Sequence, residues 1–120
     1  MEEAGMKVVG LFRNAQSTVS VPAGGVVFEA GDPGTEMYGI VEGEIRLHAG
    51  EHVIAILGVD DVFGEMALVD SSPRMATAVA TADTVLAVID RPRFLFLVHE
   101  TPMFALSVMS AMADRLRAQA

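Results

Sequence analysis

Glu65 and Arg74 stand nine residues apart in FGEMALVDSSPRMATAVA, residues 63–80, in a chain where 16 acids face only 8 bases. The segment has a glycine before the acid and a Ser-Ser-Pro before the arginine. GEMALVD offers helix formers directly after Gly64, and SSP stops them, so one or two helical turns are expected. The first turn of a helix presents unpaired N–H groups and a positive dipole end, which suit an anion. Gly64 lets a ligand approach the backbone closely. Arg74 can return to the same anion with a guanidinium, which grips phosphate in a bidentate way that lysine does not. An acid beside a phosphate repels it, so Glu65 makes sense only as acceptor for a neighbouring hydroxyl such as that of a ribose. These residue types describe a ribose-phosphate binder.

Other chemistry finds less support. His48 and His52 flank Ala-Gly-Glu, but further metal ligands are confined to Glu44 and Glu51, and a tetrahedral site needs four ligands. His99 lies on an expected helix, which removes the inward third histidine of a metal-binding barrel. Spacing suggests no Ser/His/Asp set, and without cysteine there is no disulfide, thiolate nucleophile or thiolate metal site. No metal, cofactor or enzymatic activity is expected.

The 120 residues suffice for one core, and 52% of them are hydrophobic. The net charge of −8 argues against a nucleic-acid surface, because displacing counterions from phosphates takes clustered cations. The tight basic groupings are two pairs, Arg91 with Arg93 and Arg115 with Arg117. The N-terminus does not match a signal peptide, and no run approaches the ~20 apolar residues of a membrane span. Neither nucleic acid nor membrane is an expected partner, and the expected location is cytoplasmic.

These residues must be held by elements whose texture changes twice. Residues 3–15 read as a short helix, with 1–15 assigned to it as a segment. From Thr18 to Asp90, runs of about 4–8 residues alternate with Gly, Pro and Asp, the pattern of strands in an antiparallel sandwich or barrel. Glu36–Val41 and Ile45–Ala49 read as a hairpin turning at Glu-Gly, with Val53–Leu57 pairing beside it. Ala76 to Ala82 reads as a strand with alanine at every second position, leaving room above one face for a ligand. Beyond Asp90, RPRFLFLVHE reads as a short helix. Thr101 then caps a longer one, with Pro102 at its first position. On that last helix Ala105, Met109, Met112 and Leu116 fall on one face, expected to be core or a dimer seam.

Residues 63–77 resemble the phosphate-binding cassette of the cyclic nucleotide-binding domain family, the domain type of catabolite activator proteins and protein kinase A regulatory subunits. Phe63, Gly64, Glu65, Ala67, Leu68, Pro73, Arg74, Ala76 and Thr77 fit its pattern F-G-E-x-A-L-x(4)-P-R-x-A-T. Upstream, Gly24, Phe28, Gly31, Tyr38, Ile40 and Gly43 are similar to the family's opening strands, so the likeness spans roughly residues 15–118. It implies a mainly β fold: a jelly-roll barrel of about eight strands over 16–90, with a short N-terminal helix, a short cassette helix and C-terminal lid helices over 91–120.

The resemblance also implies roles. Gly64, Glu65, Met66, Ala67, Arg74, Met75 and Ala76 would form the ligand site. Glu65 would accept the ribose 2′-hydroxyl, Arg74 would pair with the cyclic phosphate, and the N–H groups of Ala67 and Met75 would complete the cradle. The last helix, 102–118, would close over the base, with Ser107, Ser110 or Arg115 as candidate contacts, and would form a homodimer. Met75 departs from the hydroxyl residue associated with cGMP preference, which tilts the expectation to cAMP over cGMP. Catabolite activator proteins carry a helix-turn-helix module after the lid helix, and none is seen here. The expectation is therefore a non-catalytic sensor acting through an unidentified effector protein. Two alternatives are an interaction module with an unoccupied cassette, and a regulatory subunit of a transcription regulator that lacks its own DNA-binding module.

Overall fold

A computed structural model describes residues 7–119. Eight strands form two antiparallel four-stranded sheets. β1 (Thr18–Val21), β8 (Thr84–Ile89), β3 (Met37–Glu42) and β6 (Val62–Phe63) lie in that order in one sheet. The other runs β2 (Val26–Phe28), β7 (Thr77–Ala80), β4 (Ile45–Ala49) and β5 (His52–Leu57). A single turn, α1 (Met66–Val69), interrupts the strands, and α2 (Arg91–Glu100) and α3 (Met103–Gln119) follow them.

The expected hairpin between residues 36–41 and 45–49 does not form. β3 pairs with β8 and β6, whereas β4 pairs with β5 and β7, so the chain changes sheets at Glu42–Glu44. The physical reason is the apolar pattern. Ile40 and Ile45 both point into the space between the sheets and are fully buried there, which strands on opposite layers achieve. The pairing expected of Val53–Leu57 with the neighbouring strand holds, as β5 on β4.

The expected N-terminal helix falls partly outside the described residues. Within them, residues 9–14 are successive turns with i to i−3 hydrogen bonds, from Leu11 to Val8 and from Arg13 to Gly10. Gly10 at φ +76° breaks helical continuity. These turns deliver Phe12 into a core beneath the helices, edge-on to Phe104 at 6.3 Å between ring centroids. A second core fills the barrel, where Ile45, Leu47, Phe63, Ala78, Ala80 and Leu86 meet.

Asp90 caps α2 by accepting from the Arg93 N–H, and Pro92 sits in its first turn, where a missing N–H costs nothing. Thr101 closes α2, and its carbonyl accepts the Phe104 N–H that begins α3. α3 buries Phe104, Ser107 and Val108. Its outward apolar face is Leu106, Met109 and Leu116, with half-buried Ala113 between them at spacings of 3, 4 and 3. The expected face is thereby rotated: Met112 packs against the core beneath the helices, and Ala105 is half-buried. Among the described residues no single helix is long and apolar enough to cross a membrane.

Candidate functional site

The site is built where β6 ends. Gly64 at φ +79° turns the chain sharply out of the strand, a conformation that a Cβ would strain. Glu65 then opens α1 with helical dihedrals and is 6% exposed. α1 is one turn of four residues, so Arg74 supplies the site's positive charge far more than any helix dipole.

Arg74 is 8% exposed and is fixed at both ends. Its N–H donates to Asp32 and its carbonyl accepts from Gly31, at 2.8 and 2.7 Å. Its guanidinium donates from Nη1 to the Gly64 carbonyl at 3.1 Å and lies 4.2 Å above the Phe28 ring, a cation–π contact. Gly34 makes room for it, since a Cβ there would stand 2.4 Å from Arg74 Cζ. Phe28, Tyr38 and Phe63 form a cluster beneath, with Tyr38 and Phe63 stacked at 5.3 Å. Burial, aided by Glu36, pushes the Tyr38 phenol above its ordinary value, partly opposed by Arg74.

Glu65 is held by α3. Arg115 approaches Glu65 Oε2 with Nη1 at 3.5 Å and donates from Nη2 to the Val62 carbonyl at 2.5 Å. Burial raises the Glu65 carboxyl above its ordinary range, opposed by Arg115, by backbone hydrogen bonding and by Arg74. Two buried polar atoms lack a hydrogen-bond partner among the described residues, Glu65 Oε1 and Arg74 Nε. An acceptor and a donor left unsatisfied in one place are costly, on the order of 1–3 kcal/mol each, unless a ligand completes them.

Both residues line one cavity of about 180 Å³. All seven expected site residues, Gly64, Glu65, Met66, Ala67, Arg74, Met75 and Ala76, line it. The Ala67 N–H is engaged only by a long bond to the Gly64 carbonyl, 3.4 Å, which a charged acceptor can outcompete. Of the alternating alanines, Ala76, just before β7, lines the cavity. Ala78 and Ala80 fill the barrel core, so most of the space expected above the alanines is taken by packing.

From α3, Met112, Arg115, Leu116 and Gln119 reach this cavity. Of the expected base contacts only Arg115 does. Ser107 is buried and bonded to the Phe104 carbonyl, and Ser110 lines a separate cavity of about 480 Å³ between α3 and β5. Phe28, Gly34, Met112 and Gln119 were not singled out as site residues by type and spacing. The Gly-Asp-Pro-Gly turn carried a signal for Gly34, but its fit to an arginine 40 positions later is purely tertiary. His48 bonds the Gly50 carbonyl and His52 the Ala118 carbonyl, so the two imidazoles part. Among the described residues no three His, Asp or Glu side chains are grouped as for a metal.

The family model for the cyclic nucleotide-binding domain matches residues 18–101, which include every strand and the whole cassette. The chain belongs to this family. The cyclic AMP receptor protein of Thermus thermophilus is 39% identical over 101 residues, covering 80% of this chain and 47% of that protein. The regulatory subunit of the cAMP-dependent protein kinase of Dictyostelium discoideum is 36% identical over 89 residues, 68% of this chain and 27% of that protein. The chain thus spans about half the length of the first of these relatives and about a quarter of the second. Among solved structures, the Thermus thermophilus catabolite activator protein superposes with a TM-score of 0.71 at 34% identity, covering 84% of this chain and 50% of that one. A protein of a cyclic-GMP-dependent signalling pathway in bacterial phytopathogenesis superposes at 0.69 and 31% identity, covering 98% of this chain and 93% of that one. The domain's two sheets and C-terminal helices are therefore the jelly-roll arrangement of cyclic nucleotide-binding regulatory domains.

Proposed function

We propose that this domain is a non-catalytic cyclic nucleotide sensor that takes cAMP in preference to cGMP and reports binding through α3. One observation carries the reading: Glu65 and Arg74 line the same cavity, and each holds a buried side-chain atom, Oε1 and Nε, without a hydrogen-bond partner among the described residues. A ribose hydroxyl satisfies the first and a cyclic phosphate the second. Gly64, Met66, Ala67, Met75 and Ala76 shape the walls around them. Among the described residues the lining holds no hydroxyl, thiol or imidazole side chain, and the carboxylate is engaged by Arg115, which supports binding rather than catalysis.

The cavity's volume, about 180 Å³, lies below the roughly 300 Å³ at which small-molecule sites begin. A nucleotide in this cavity meets Met112 and Leu116, so the position of α3 enters its binding. Binding and helix position become one equilibrium, biased by whatever contacts the ligand makes in one helix position and not the other. The outward face of Leu106, Met109, Ala113 and Leu116 has the spacing of a coiled-coil seam, which supports a homodimer along α3. Leu116 belongs to both seam and cavity wall, so the seam feels the ligand directly.

Calorimetry and thermal shift with cAMP, cGMP and AMP test the reading. Saturable heat and a rise in melting temperature with a cyclic nucleotide, and less with AMP, are expected. No response to either cyclic nucleotide overturns it in favour of a docking module whose cassette is unoccupied.

A further inference from the structure

We propose that Met75 is an oxidation site through which hydroperoxides lower the domain's hold on its nucleotide, a proposal that rests on the nucleotide reading above. The chain has eight methionines and no cysteine, so thioethers are its only oxidisable sulfur. Three of them, Met66, Met75 and Met112, line the cavity that holds Glu65 and Arg74. Met66 and Met112 are half-buried. Met75 is 56% exposed and directly follows Arg74, so it stands at the cavity's rim, open to solvent. Met37, by contrast, is fully buried in a core. Met103 and Met109 are 48% and 55% exposed, but neither lines the cavity. An oxidant in solution thus reaches these three exposed methionines alike, and Met75 alone among them belongs to the site.

The step is a two-electron oxygen transfer. A lone pair of the sulfur attacks one oxygen of hydrogen peroxide and the O–O bond breaks. The transferred oxygen gives up its proton to the departing hydroxide, leaving a sulfoxide and water; sulfur is oxidised and peroxide reduced. A flexible apolar thioether becomes a polar group with an acceptor oxygen. At this rim that oxygen has two fates. Where it finds a donor, the buried Arg74 Nε is the one still free among the described side chains, and the cyclic phosphate needs it. Where it finds none, a seated nucleotide covers it unpaired, at a cost in free energy. Both fates weaken binding, and neither disturbs a core. Sulfoxide reductases restore the thioether, so the change is reversible.

Hydrogen peroxide treatment of the whole chain, followed by peptide mass spectrometry and by calorimetry with cAMP and cGMP, tests the proposal. Met75, Met103 and Met109 should each gain one oxygen well before Met37 does. Affinity for the cyclic nucleotide should fall by about 10-fold, the scale of one polar group left unpaired. It should return after treatment with the two methionine sulfoxide reductases, one for each epimer. Each variant is compared with itself before and after peroxide. Met75→Leu should lose the fall, whereas Met103→Leu and Met109→Leu should keep it. If Met75 resists peroxide, or takes up oxygen without a change in affinity, the proposal is overturned while the nucleotide reading stands. A fall in Met75→Leu as large as in the wild type overturns it equally. If untreated protein binds neither nucleotide, the nucleotide reading itself fails and the proposed control fails with it.

Discussion

Arg115, near the end of α3, stands 3.5 Å from Glu65 at the start of α1, fifty residues earlier in the chain. The pair ties the cassette to α3 without using up the carboxylate. Oε2 faces Arg115, and Oε1 remains unpartnered and buried. The second hold of Arg115, on the Val62 carbonyl, fixes the guanidinium.

The Glu65 carboxyl predicts a pH dependence. Burial raises its folded-state value above the unfolded one, so the folded state holds the proton more tightly. Stability contributed by that proton is full below the unfolded value of about 4.5 and is lost as pH rises through the folded value. Glu65→Gln removes the titration. Its melting temperature relative to the wild type should rise as pH increases upward from about 4.5, read by thermal denaturation of the two proteins in parallel. A constant difference across that range would show that folding does not raise the carboxyl above its ordinary range.

Gly34 and Arg74 predict a second effect. A Cβ at Gly34 would stand 2.4 Å from Arg74 Cζ, so Gly34→Ala must push the guanidinium off the Phe28 ring. Nucleotide binding should weaken by about 1–3 kcal/mol, approaching that of Arg74→Ala, because both lose a charge-assisted contact. Calorimetry measures it, and unchanged circular dichroism shows the barrel intact. Wild-type affinity in Arg74→Ala would remove Arg74 from the site.

The outward face of α3 predicts a third. Met109 is 55% exposed and touches neither core cluster, so Met109→Glu should leave the thermal stability of the barrel nearly unchanged. Placed on a self-complementary seam, two glutamates would oppose each other, and sedimentation should move from dimer toward monomer. An unchanged sedimentation coefficient would exclude that face as the interface.

Phe63, Gly64, Glu65, Pro73 and Arg74 were legible from sequence because the cassette is local. One β-end, one helical turn and one loop carry its chemistry within a dozen residues, and each needs its residue type for its own backbone or charge. The alternation of short apolar runs likewise determined a β barrel, and the change of period after Asp90 determined two terminal helices. What the tertiary structure decided is long-range. Whether residues 36–41 pair with 45–49 depends on which layer buries Ile40 and Ile45, and the turn at Glu42–Glu44 permits either answer. Which face of α3 meets the cavity depends on the rotation that buries Phe104 and Val108. That rotation turns Met112 and Arg115 toward the cavity and Met109 outward, a choice that 3.6-residue periodicity alone leaves open because apolar residues lie on both faces of the helix.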